Sequence, residues 1–488
     1  MTDSHPSAAE HQRLHVEQPE PAPEHDTIVD TDPEGNKTHP ARSGRRADVV
    51  AAGAGILLIA AAVLIGAEIQ RTDGTLHVPW PPLQAYWLPH WGPGTPAAVL
   101  VAVLGITWMP GLALRLPWRR LLLVTWATAM AWTWTLALVD GWQRGVAGRL
   151  ATDYEYLSEL NRFTDIPAAL RDFTHHILST QPQPWATHVA GHPPGAVLTF
   201  VGLDRLGLGG GAWAATWCIT TGSSAAVAVL LAVRALADET TARRAAPFLA
   251  LSPAAIWIGV SADGYFTAVA TWGLALLALA AIRTTARPLA AALGAGLMLG
   301  FAAYLSYGLP LLAVPALAVL ATARTARPLP AAVLGAAAVV ATFTLAGFAW
   351  WQAYPLLAQR YYQGAGGIRP YNYWVWADLA CALLSTGLVV IAAARRALAA
   401  APSALHHLRR RTPSAPQAVA VLACAALLSI LIADLSGMSK AETERIWLPL
   451  TIWLLPAAAL LPARDHRRWL VSQVVLALLL NHLLLTNW

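Results

Sequence analysis

The residues best suited to chemistry fall in five short stretches. Asp153-Tyr154-Glu155 places two carboxylates at i and i+2. Such a pair can bind a divalent cation (Mg, Mn or Ca), or one member can act as a base while the other orients an acceptor. Any wet loop can also hold such a triplet. His188-Val189-Ala190-Gly191-His192-Pro193-Pro194-Gly195 joins a polar stretch to an apolar run. Pro193 and Pro194 stop the preceding segment and can start a helix, because early helical positions need no intrahelical N–H partner. His192 would then sit at the mouth of a helix, where an imidazole could hydrogen-bond a phosphate, shuttle a proton, or simply be solvated. Asp263 follows the Ser252-Pro253 break and either caps the next helix or faces a polar cleft. Lys440-Ala441-Glu442-Thr443-Glu444-Arg445 opens an apolar run. Arg445 carries the planar fork that can hold a phosphate in a bidentate way, with Glu442 and Glu444 orienting it, although a plain interfacial ion-pair network would look the same. Arg369 lies in a Gly- and Tyr-rich stretch, Tyr361 to Tyr373, that could fold over a sugar or be an ordinary interface loop.

The rest of the chain says what must position these groups. Of 488 residues, 56% are hydrophobic and 12% charged, and 22 are Trp. A soluble globular protein carries about 25% charged residues. With a mean hydropathy of +0.48, the composition excludes a cytoplasmic enzyme, a disordered scaffold and a nucleic-acid binder. At about 20 residues per span plus loops, the length allows about ten to thirteen transmembrane helices. Cys218, Cys381 and Cys424 all lie in apolar runs without metal-ligand spacing, and read as small buried hydrophobes. The fold class is therefore an all-α polytopic membrane protein.

Residues 1–48 read as a disordered cytoplasmic tail: nine of the 27 acidic residues lie between Asp3 and Glu34, with almost no apolar residue to pack. Arg42, Arg45 and Arg46 precede the first apolar run and should hold that end in the cytoplasm. The polytopic domain is expected over 49–488, with about 11–13 helices. Its basic loops (Arg115 to Arg120, Arg283 and Arg287, Arg324 and Arg327, Arg395 to Arg411, Arg464 to Arg468) can all be cytoplasmic on one condition. Two apolar runs, 193–206 and 212–233, separate the outer loop 140–190 from the basic loop around Arg243 and Arg244. The chain must cross an odd number of times there, so the short run 193–206 is expected to be a partial or re-entrant element. Within 140–190, Leu157, Leu160, Phe163 and Ile166 mark one side of amphipathic outer-loop helices. Trp and Tyr gather at outer helix ends, as an aromatic belt would place them.

Taken in order, the acidic motif in the first large outer loop (Asp153-Tyr154-Glu155), the His192-Pro193-Pro194 element and Leu251-Ser252-Pro253 followed by Asp263 resemble the membrane-embedded glycosyltransferases of the C superfamily. The resemblance covers most of 120–460 and looks like an actinobacterial-type member. It implies a GT-C-like helical bundle in the cell membrane, acting in the cell envelope. A sugar would pass from a polyprenyl-phosphate donor to a glycan, lipid or protein acceptor at the extracytoplasmic face, with inversion, making the chain a hexosyl- or pentosyltransferase. It implies Asp153 as the base, with Glu155 as alternative or as a metal or acceptor ligand. Arg445 and Lys440, joined by His192 or Arg369, would stabilise the leaving phosphate. Two features depart from the family pattern: extra apolar runs at 49–67 and 94–114 precede the acidic loop, and no large soluble domain follows the last helix. The competing class is a multi-pass transporter or flippase of a lipid-linked or anionic substrate, which should show paired broken helices in two halves. No clear internal repeat is present. A structural membrane protein without turnover would tolerate alanine at Asp153 and His192.

Overall fold

The computed structural model of the chain describes residues 40–259, 261–410 and 413–486. The acidic stretch 1–39, and with it most of the expected tail, lies outside the described residues, as does Arg411. The first helix, α1 (Pro40–Thr72), starts inside the segment read as tail. From Gly44 onward the chain forms a single unit.

Helix α1 leads through β1 (Ala85–Trp87) to α2 (Thr95–Arg115) and α3 (Trp118–Ala137). Short helical turns fill 138–194 and include α4 (Ile166–Asp172) and α5 (Thr187–Gly191). Then come α6 (Gly195–Arg205), α7 (Gly211–Leu236), α8 (Glu239–Ala250), α9 (Ala255–Ile258), α10 (Ala262–Ile282), α11 (Pro288–Leu305), α12 (Ala313–Ala323) and α13 (Leu329–Leu345). The chain continues through α14 (Trp350–Gln363), α15 (Ala365–Ile368), α16 (Tyr371–Thr386), α17 (Val389–Arg410), α18 (Ala415–Leu435), α19 (Thr443–Ile446), α20 (Leu448–Thr451) and α21 (His466–Leu483), and ends in β2 (Leu484–Thr486). β2 pairs antiparallel with β1, Tyr86 opposite Leu485.

This is an all-α polytopic membrane bundle. Among the described residues, seven helices are long and apolar enough to cross a bilayer: α1, α2, α3, α7, α10, α11 and α18. The bent pairs α13–α14 (76°) and α16–α17 (109°) raise the number to nine if each is one span. Further apolar runs form helices below that length, such as Leu309–Thr322 and Leu448–Leu460. Proline accounts for part of this: Pro310 and Pro315 fall in the first, Pro449 and Pro456 in the second, and each removes a backbone donor.

The run 193–206 becomes α6, with 11 residues. At 1.5 Å per residue it reaches about 16 Å, half of a hydrocarbon core of about 30 Å. Its start continues directly from the 138–194 segment, and its C-terminal end returns to that segment: Arg205 donates to Phe163 O and Thr164 O, and Gly211, just after α6, lies against Ala147. So α6 does not cross, and α7 alone makes the odd crossing that the basic loops require.

Two ends of the bundle follow from contacts. At one end, Asp48 on α1 holds Arg395 and Arg396 of α17, Asp465 holds Arg45 and Arg468, and Arg243 donates to Ala113 O and Leu116 O at the close of α2. At the other end lie the 138–194 segment, the start of α10, the 436–447 turn and the β1–β2 pair. Within 138–194, Tyr156 and Phe163 are buried, and Leu157, Leu160 and Ile166 pack on the same core. The amphipathic helices expected there are present as a 3-10 stretch (Tyr156–Phe163) and α4, with Phe163 and Phe173 both against Trp185.

Candidate functional site

Helix α8 enters from the arginine-rich end and stops at Leu251-Ser252-Pro253, because Pro253 disfavours helical backbone at Ser252. The chain turns through α9 and restarts at α10, whose N-cap is Ser261. Asp263 is therefore inside the first turn and does not cap the helix. Its carboxylate is free to reach sideways, and it meets Arg445 Nη1 at 2.6 Å.

Arg445 is the hub. Its Nη2 donates to Glu442 Oε2 at 2.6 Å and to His188 Nε2 at 3.1 Å. Because a guanidinium has only donors, His188 Nε2 must accept, and the ring proton sits on Nδ1. That nitrogen faces Glu155 Oε1 at 3.0 Å. Residues from four parts of the sequence thus form one line: Glu155, His188, Arg445, then Asp263 and Glu442. All but Glu442 have side chains less than a tenth exposed; Glu442 is 21% exposed.

Burial alone would lower the Arg445 pKa, but Asp263 and Glu442 outweigh it and hold the guanidinium charged, above its ordinary value. Burial would raise Glu442, yet Arg445 and Arg369 bring its carboxyl below the usual range. A buried pair with this geometry recovers its desolvation penalty only while every partner is present.

Beside the hub, Arg369 donates to Leu76 O (3.0 Å) and Lys440 O (2.8 Å) and stands 3.8 Å from Glu442 Oε1. Lys440 Nζ donates to Gly366 O and Arg369 O. Burial and Arg369 lower the Lys440 pKa.

His192 is adjacent. Its Nδ1 bonds His188 O at 2.8 Å, and its ring lies against Tyr156 and Phe266. Burial lowers its pKa to about 4, so it is neutral near pH 7.

Of the residues singled out from the sequence, Glu155, Asp263, Glu442 and Arg445 come together, with His192, Arg369 and Lys440 alongside. Asp153 stays apart: its side chain is exposed on the segment two residues before Glu155. Glu155 is committed to His188, so the pair does not present two oxygens to one point. Among the described residues no group of three or more His, Cys, Asp or Glu side chains is placed to hold a metal.

Sequence reasoning named His188 only as the start of the stretch to Gly195 and gave the role to His192. Its i, i+4 spacing to His192 was the available signal, since α5 and its cap carry both inward. It also missed Asp378 and Asp434, buried acids inside α16 and α18. Asp378 Oδ1 accepts from Ala441 N (3.1 Å) and Thr443 Oγ1 (3.3 Å), which ties the 440–445 turn to α16. Charges in the apolar runs are thus less scarce than the sequence suggested.

An apolar groove of about 480 Å³ opens between α10, α11 and α13. Tyr265, Val269, Leu297, Met298, Phe301 and Phe343 line it. Tyr265 is next in sequence to Phe266, which touches His192, so the groove begins beside the charged line.

No family model matches the chain, and no curated protein matches it in sequence. Solved structures of an oligosaccharyltransferase from Archaeoglobus fulgidus are similar over part of the fold. Its apo form is 14% identical with a TM-score of 0.44, covering 71% of this chain and 50% of that one. The form with Zn and sulfate is 16% identical with a TM-score of 0.42, covering 74% and 51%. The form of this oligosaccharyltransferase, AglB, with an inhibitory peptide and a dolichol-phosphate is 14% identical with a TM-score of 0.43, covering 70% and 50%. The chain thus spans about half the length of the solved structures it matches.

Proposed function

We propose that the protein is a membrane glycosyltransferase of the C superfamily type. It would move a sugar from a polyprenyl-phosphate donor to a glycan, lipid or protein acceptor at the end of the bundle that carries the charged line. The observation that carries this reading is the gathering of Arg445, Arg369 and Lys440 with Asp263 and Glu442 beside an apolar groove. A phosphate and an isoprenoid chain together need that combination: planar and point cations for the head, a lipid-facing groove for the tail.

The chemistry follows from the donor. The bond between the sugar's anomeric carbon and the lipid phosphate breaks, and the phosphate oxygen keeps the electron pair. Arg445 and Arg369 stabilise that charge, more effectively in a buried site than in water. The acceptor hydroxyl attacks the opposite face of the anomeric carbon, which inverts it, and a carboxylate takes the hydroxyl proton. Asp153 suits the base: it is exposed, while Glu155 is turned in to His188. Neutral His192, whose Nδ1 donates to His188 O, leaves Nε2 to accept a hydrogen bond at the same mouth.

Purified protein given a polyprenyl-phosphate sugar and an acceptor is expected to transfer the sugar. Asp153→Asn should lower the rate by about 100-fold or more, the size of a general-base contribution, with unchanged gel filtration and melting. Full transfer by that variant would remove Asp153 from the mechanism. A transporter or flippase of a lipid-linked substrate is the second reading, favoured by Asp378 and Asp434, since buried acids in apolar helices mark many transport paths. It would move the lipid without breaking the sugar bond, so the same assay separates the two.

A further inference from the structure

The charged line holds its own anion where a substrate anion would bind. The two oxygens of Glu442 are split between two guanidinium groups: Oε2 is 2.6 Å from Arg445 Nη2, and Oε1 is 3.8 Å from Arg369 Nη1. Arg369 otherwise donates to backbone carbonyls, so Glu442 is the acidic side chain paired with it among the described residues. Arg445 keeps a second carboxylate, Asp263, when Glu442 leaves. Glu442 is also the most open member of the set, at 21% exposed against 6% and 8% for the two arginines.

The backbone under it is unusual. Ala441 and Glu442 are consecutive non-glycine residues in the left-handed region, with φ of 71° and 64°. That conformation is sparsely populated for L residues and persists only where surroundings enforce it. Here the residues on either side of Glu442 are pinned, Ala441 N and Thr443 Oγ1 both on Asp378. The pinned turn aims the Glu442 side chain between the two arginines, and rotation about its own side-chain bonds would clear the gap without unfolding the turn.

We propose that the space between Arg369 and Arg445 is a phosphate-ester subsite, and that Glu442 fills it as an internal stand-in until a substrate phosphate displaces it. This rests on the glycosyltransferase reading for the source of the phosphate, and adds a gate to it. A phosphate oxygen on each guanidinium would replace the split carboxylate, and the displaced Glu442 would turn toward solvent. Phosphate affinity is then reduced by the fraction of molecules in which Glu442 occupies the gap.

The test is equilibrium binding of farnesyl phosphate and of inorganic phosphate to the full-length protein in detergent, comparing wild type with Glu442→Gln and Glu442→Asp. If Glu442 fills the gap in about nine-tenths of molecules, Glu442→Gln binds about tenfold more tightly. Glu442→Asp, which keeps the charge but shortens the reach, falls between. Tightening confined to farnesyl phosphate assigns the subsite to a lipid-linked phosphate, and equal tightening for both probes assigns it to phosphate itself; either supports displacement. Wild type that binds farnesyl phosphate while both variants bind it equally or more weakly overturns the gate and leaves the glycosyltransferase reading standing. No binding of either probe by any of the three folded proteins overturns the phosphate-donor reading, and the subsite with it.

Discussion

His188 shows how much one side chain can carry at the residue scale. It accepts from Arg445 on one nitrogen and faces Glu155 with the other, so it joins the outer segment to the 440–445 turn. Glu444 is the other residue with consequences for stability. Burial pushes its carboxyl up to about 7, from an ordinary 4.5. The folded chain therefore holds this proton more tightly than the unfolded chain between those values. That contribution is complete below pH 4.5 and is lost as pH rises through about 7. It amounts to at most about 3 kcal/mol. Glu444→Gln, which resembles the protonated acid, is expected to melt at a similar temperature at pH 4 and at a higher one than wild type at pH 8. Melting in detergent at the two pH values checks this; an equal drop for both proteins would show that Glu444 does not titrate in this window.

At the scale of elements, two devices place the site. The first is the break between α8 and α10, which puts Asp263 at a helix start and not at a helix middle. The second is the close packing of α11 on α13, beside the groove. Gly296 and Gly300 lie four residues apart on α11. A Cβ at Gly296 would overlap Ala332 O, and one at Gly300 would stand 2.8 Å from the Ala336 Cα. Gly335 makes the reciprocal approach from α13 to Leu293. Without a hydrophobic drive between helices in lipid, such small-residue contacts let backbones come near enough for dispersion to hold them. Gly296→Leu is expected to force the pair apart and cost about 1–3 kcal/mol, the usual range for overpacking. A lower melting temperature together with weaker farnesyl phosphate binding would match; an unchanged protein would mean that the contact is not needed for this packing.

For the whole molecule, the bundle separates its charges by end. Arg45, Arg243, Arg395, Arg396 and Arg468 lie at one end, and the Glu155–His188–Arg445 line lies at the other. Helix α10 runs parallel to α7, Tyr265 beside Trp217 and Trp272 bonded to Ser224, so the α10–α11 turn belongs with the arginines. Basic ends of spans stay on the cytoplasmic side. A cysteine introduced at Tyr154, which is 67% exposed, should react with an impermeant maleimide in intact cells. One introduced at exposed Thr284 should react only after the membrane is opened. Labelling of both from the same side would overturn this topology.

By itself, the amino-acid sequence determined that the chain is a helical membrane protein, because few charges in a long apolar chain leave no other way to satisfy its backbone. It also marked Glu155, Asp263, Glu442 and Arg445 as worth attention, since carboxylates and guanidinium groups near apolar runs are costly and rarely idle. The shortness of 193–206 was legible too, because length against bilayer thickness is a one-dimensional quantity. Only the tertiary structure decided which of these residues meet. Asp263 and Arg445 are 182 positions apart, and no local pattern encodes the contact between them. The same is true of His188, whose polar neighbours suggested water while its short helix turned it inward. Buried acids such as Asp378 escaped for a related reason. Hydropathy averages over a window, whereas burial and partnership are settled one side chain at a time by the packing of distant helices.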